Sequence, residues 1–74
     1  MEMKIEKNTI LIHGGTKPFT YQIDGKTICY EDKIKLTANE KHKIVVNDEA
    51  GMKQERKIYI ESSKKYVELT IKHY

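Results

Sequence analysis

Polar and apolar residues alternate along most of this chain, and turn residues break the alternation at regular intervals. Met3 and Ile5 share one face of a first segment, with Glu2, Lys4 and Glu6 on the other. Lys7-Asn8 interrupts it. Thr9 to His13 follows, its Ile10-Leu11-Ile12 run suited to a strand covered on both sides. Gly14-Gly15-Thr16-Lys17-Pro18 reads as a loop, because paired glycines and a proline disfavour a regular ladder. Phe19, Tyr21 and Ile23 then alternate with Thr20, Gln22 and Asp24. Asp24-Gly25 tolerates the two positive φ angles of a tight type I′ turn and returns the chain into Lys26 to Tyr30.

The second half repeats the pattern. Ile34 and Leu36 mark a short strand ending near Ala38-Asn39-Glu40. His42 to Asn47 forms the next, with Ile44 and Val46 facing one way and Val45 the other. Asp48-Glu49-Ala50-Gly51 is a hairpin-sized loop, with Gly51 suited to a left-handed residue. Gln54 to Ile60 points inward through Ile58 and Ile60, and Ser62-Ser63-Lys64-Lys65 breaks the chain again. Tyr66 to Tyr74 is the cleanest amphipath, with Val67, Leu69 and Ile71 opposite Glu68, Thr70 and Lys72. About eight strands at a spacing of about 8–12 residues predict an all-β sandwich or barrel without helices. The expected core is Ile10, Ile12, Phe19, Tyr21, Ile23, Ile34, Leu36, Ile44, Val46, Ile58, Ile60, Val67, Leu69 and Ile71.

Composition agrees. Ile and Val number 13 against five Leu and Ala, an excess that favours strands. At 74 residues the chain makes one domain, and no apolar run approaches the ~20 residues of a membrane helix. The single cysteine, Cys29, excludes an internal disulfide framework. The net charge of +3 is too weak to name a partner, and 13 of the 14 basic residues are Lys. Only Arg56 offers the bidentate fork that nucleic-acid readers favour.

Two stretches resemble a known pattern. Gly14-Gly15-Thr16-Lys17-Pro18-Phe19-Thr20-Tyr21 is similar to the Gly-Gly-Thr-x-Pro-Tyr-Thr-Tyr segment of SprB-type repeats and related PKD-like modules of bacterial surface proteins. His42-Lys43-Ile44-Val45-Val46-Asn47-Asp48-Glu49-Ala50-Gly51 is similar to their Tyr-Thr-Val-Thr-Val-Thr-Asp-x-x-Gly segment. The resemblance covers about residues 10–60 and implies an immunoglobulin-like β-sandwich of seven to eight short antiparallel strands. Phe19, His42 and Met52 depart from it, standing where those modules carry Tyr, Tyr and often Cys. Tyr66 to Tyr74 adds a strand beyond the usual end of the module.

Candidate chemistry is thin. His13, His42 and His73, with Asp24, Asp48 or Glu61, lack the i, i+2 or i, i+4 spacing that sets two metal ligands on one face. Cys29 sits in an ordinary strand position between Ile28 and Tyr30. Gly14-Gly15-Thr16-Lys17 leads into a Pro and a strand, whereas a phosphate loop leads into a helix. Glu31-Asp32 and Asp48-Glu49 fall in turns, where carboxylates cap backbone donors. The expectation is a non-enzymatic protein-interaction module with no cofactor and no metal.

Its candidate contact residues are Lys17 and Pro18 in one loop, Asp48 and Glu49 in another, and an exposed stripe of Tyr59, Tyr66 and Tyr74. Met3 to Lys7 and Tyr66 to Tyr74 are candidate edge strands for pairing with a partner. The alternative is a small Lys-rich β-barrel binding nucleic acid through Tyr30, Tyr59, Tyr66 and Tyr74. As a native full-length chain without a signal peptide it would be cytoplasmic, suiting a small inhibitor or adaptor such as a phage-encoded blocker of a host defence complex. As a segment of a larger exported protein it would sit at the cell surface.

Overall fold

The alternating segments become eight strands in the computed structural model, which describes residues 1–29 and 33–74, with Ile28 and Cys29 described by backbone alone. They are β1 (Glu2–Glu6), β2 (Thr9–His13), β3 (Thr20–Ile23), β4 (Lys26–Cys29), β5 (Lys33–Thr37), β6 (Lys41–Asn47), β7 (Lys53–Tyr59) and β8 (Tyr66–His73). Sheet I has the order β1-β2-β8-β5 and sheet II the order β4-β3-β6-β7. Three tight hairpins are local: β1–β2, β3–β4 and β6–β7. Asp24 and Gly25 have φ of 51° and 87°, the paired positive angles expected of a type I′ turn.

One pairing is parallel. β2 runs alongside β8 from Thr9↔Thr70 to Ile12↔His73, and β8 pairs antiparallel with β5 on its other side. Tyr66 to Tyr74 is therefore no free edge: it is an inner strand of sheet I, because β2 and β5 both need its backbone groups. β1 does lie at an edge. There the Arg56 Nη2 of β7 donates to the Met3 carbonyl at 3.2 Å, so the only arginine ties the two sheets together along one side.

The inward positions of both sheets meet in one apolar cluster that includes Ile10, Ile12, Tyr21, Ile44, Val46 and Leu69. Ile58, Ile60 and Val67 are only half-buried against it. β7 is an edge strand whose other inward positions carry Gln54 and Arg56, while Ile60 and Val67 flank the connection between the sheets. Met3 joins the core fully buried, lying beneath the side that Arg56 closes. Val45 is buried although it points outward, between Gln22 of β3 and Glu55 of β7.

Candidate binding site

The two loops singled out in the sequence meet at one end of the sandwich. Thr16 N donates to Asp48 Oδ2 at 3.0 Å, and Glu49 N donates to the Thr16 carbonyl at 2.9 Å. Asp48 Oδ1 accepts from Met52 N at 2.7 Å, which closes its own loop. Burial pushes the Asp48 carboxyl up, but the amides of Thr16, Met52 and Ala50 and the nearby chain N-terminus outweigh it and hold it below the ordinary range.

Asp48 is thus buried and its carboxylate is bonded to the backbone of both loops. Lys17, Pro18 and Glu49 remain exposed around it. Met52, 51% exposed, adds an apolar surface beside them. The sequence carried a signal for Met52, an apolar residue just past a loop glycine. Gly15 is needed for the approach: its φ is 86°, and a Cβ there would sit 2.9 Å from the Phe19 ring and 3.3 Å from Asp48 Oδ2.

Below these loops, Phe19 stacks on His73 with centroids 4.6 Å apart, and the Tyr21 hydroxyl hydrogen-bonds His73 Nε2. His73 belongs to sheet I and Tyr21 to sheet II, so this contact crosses the core. At the opposite end His42, 5% exposed, does the same. Its Nδ1 lies 2.6 Å from Asp24 Oδ2 and its Nε2 lies 2.7 Å from the Thr37 carbonyl oxygen. Both partners are acceptors, so both ring nitrogens carry hydrogens and the ring is an imidazolium.

Burial opposes the charge on His42. The bonds to Asp24 and to Thr37 and the charges of Asp24 and Glu40 overcome it, raising the pKa above its ordinary value. The bond from His42 and that from Lys43 N in turn lower the Asp24 carboxyl. His42 stands in register with Ile44 and Val46 on the inward face, and His73 with Leu69 and Ile71. A polar residue at an inward position signals a buried partner, and that signal was present in both strands.

The remaining candidates are dispersed. His13 stacks on Tyr74 at 5.0 Å on the outer face of sheet I, so the three histidines occupy separate places. Among the described residues no group of three His, Cys, Asp or Glu converges. Tyr66 also faces out from sheet I, with Lys35 Nζ 4.6 Å from its ring centroid. Tyr59, opposite Lys41, faces out from sheet II. The expected tyrosine stripe is therefore split across opposite faces. Tyr30, the Glu31-Asp32 pair and the Cys29 thiol lie outside the described residues.

Among the described residues, hollows occur near the His42 end. One, of about 230 Å³, is lined by Asp24, Lys26, Lys35 and His42, but both nitrogens of the imidazole are already engaged there. The other, an open groove of about 450 Å³, runs past Asn8, Glu61, Lys64 and Tyr66. No protein-family model, curated protein or solved structure matches this chain.

Proposed function

We propose that this is a non-enzymatic, immunoglobulin-like interaction module that presents its paired loops to a partner protein. The observation that carries the reading is the Asp48 clamp. It joins two loops into one surface, so that Lys17, Pro18, Glu49 and Met52 are held together before any partner arrives. Ordering loops in advance removes part of the entropic cost of association.

The strand order supports the immunoglobulin-like part. Sheet II, β4-β3-β6-β7, fits a C′-C-F-G sheet, and β1, β2 and β5 fit A, B and E with β8 inserted between the last two. The segments that resemble SprB-type and PKD-like modules are also the ones the clamp joins. The nucleic-acid alternative has less support, since its aromatic platform is divided between two faces. The same loop surface serves a stand-alone inhibitor or adaptor and a module of a longer surface protein.

The test compares the native protein with Lys17→Glu/Met52→Ser as bait in lysate from its source cells, at about 150 mM and about 500 mM salt. A protein retained by the native bait at both salts and lost by the variant is expected. Equal retention by both baits, or recovery of nucleic acid alone, overturns the reading.

A further inference from the structure

The outer faces of the two sheets carry different charge patterns. On sheet I, Glu2, Glu6 and Glu68 are interspersed among four lysines, and Lys4–Glu2 and Lys33–Glu68 approach to 3.5 and 3.6 Å. Sheet II presents Lys41 and Lys43 on β6 and Lys53 and Lys57 on β7; among its described residues the acids on this side are Glu55 on β7 and Asp24 just after β3, whose carboxylate is already bonded to Lys43 N and His42. Lys43 and Lys57 are directly opposite in register, an arrangement of like charges that weakens a sheet. Glu55 offsets part of it by pairing with Lys43 at 2.6 Å. Tyr59, 54% exposed, flanks Lys41 at the margin of this face.

We infer that the outer face of sheet II docks an extended acidic protein segment. Successive outward positions on a strand lie ~7 Å apart, which is the spacing of Lys41 and Lys43 and of same-side carboxylates on an extended acidic chain; Lys57 stands opposite Lys43, and Lys53 lies beyond Glu55. A protein segment can also place a donor against Glu55 and an apolar side chain on Tyr59. A phosphodiester chain meets this face less well: it has no cation for Glu55, and one tyrosine gives it one stacking position. The guanidinium that would grip phosphate bidentately is turned away, since Arg56 points inward to the Met3 carbonyl. This surface is distinct from the paired loops and goes beyond the function proposed for them.

The test uses isotope-labelled native protein and a peptide of about twelve residues alternating Glu and Thr, whose carboxylates repeat every ~7 Å on one side. Oligothymidylate of the same length is titrated in parallel at about 50 mM and about 500 mM salt. Peptide-induced shifts are expected along β6 and β7 at the lower salt. A Lys41→Gln/Lys43→Gln/Lys53→Gln/Lys57→Gln variant should lose about tenfold or more in affinity. Lys33→Gln/Lys35→Gln/Lys72→Gln on sheet I should bind as the native protein does, and both variants must keep a folded spectrum.

Oligothymidylate binding as tightly as the peptide, equal losses in the two variants, or no peptide binding at the lower salt would overturn the inference. None of these outcomes bears on the loop surface. Lys17→Glu/Met52→Ser changes no residue of this face, so the two readings fail separately.

Discussion

The two ends of the sandwich are both held by polar groups, but by groups of opposite character. At one end the His42 imidazolium bridges Asp24 on sheet II and the Thr37 carbonyl of sheet I. At the other end the Asp48 carboxylate gathers backbone amides from two loops, above the Tyr21–His73 contact. The first end includes the six-residue connection 60–65, with Asn39 bonded to the Ser62 backbone through both atoms of its amide group. The second carries the two loops that Asp48 joins and the exposed Lys17, Pro18, Glu49 and Met52. A titratable cation joins the sheets at one end; a carboxylate and backbone amides join the loops at the other, the end proposed to meet a partner.

Substitution at the two ends tests that contrast most directly. His42→Ala removes a buried charged ring and leaves the Thr37 carbonyl without its donor. It should cost about 2–3 kcal/mol in urea unfolding, short of a fully buried pair because Asp24 is half exposed. Tyr21→Phe, which deletes one hydroxyl at the loop end, should cost about 1 kcal/mol. A larger loss from Tyr21→Phe than from His42→Ala would reverse the assignment of the stronger fastening.

Changing pH separates the ends without mutation. The His42 pKa is raised from 6.5, so its stabilisation is complete below that value and disappears as pH rises through the raised one. The Asp24 and Asp48 carboxyls are lowered from 3.8, so their contributions hold above that value and are lost as pH falls through the lowered ones. Amide exchange, corrected for its intrinsic rate, should lose protection around Asn39 and Lys43 as pH rises beyond 6.5 and through the raised His42 pKa, while Thr16 and Met52 keep theirs. Equal alkaline loosening at both ends contradicts the imidazolium assignment.

Asp48→Ala should free the Thr16 and Met52 amides to exchange and weaken any loop-dependent partner by about tenfold, leaving Asn39 and Lys43 protected. Lys57→Glu, on the face between the ends, sets the scale for a change that touches neither. Relieving the opposed charges of Lys43 and Lys57 should stabilise the fold by about 0.2–0.5 kcal/mol in the same urea assay.

Strand positions were legible because alternation and turn chemistry are local. Every predicted segment reappears within a residue or two, and the Asp24-Gly25 turn has the angles its dipeptide favours. Strand order was not legible, because an alternating strand buries the same face whichever neighbours it has. That is why β8 was expected at an edge, and why Tyr59 and Tyr66 were grouped although they face opposite ways. The loop residues were found from turn signals, but the use of Asp48 as a clamp depends on Thr16, far away in the chain. Metal-ligand spacing says nothing of His42 and His73, whereas their inward register with Ile44 and Ile71 carries the informative signal.

The place of β8 in sheet I also sets an order of events in synthesis. The hairpins β1–β2, β3–β4 and β6–β7 can pair as soon as each has left the ribosome, since their partners are adjacent in the chain. β2 and β5 have no common neighbour until Tyr66–His73 arrives and Ile10 meets Ile71. Without it, the backbone groups of β2 and β5 that face β8 lack the partners they have in the complete sheet. Completing sheet I therefore requires β8, and a chain stopped at Lys65 would leave open the backbone groups of β2 and β5 that pair with it.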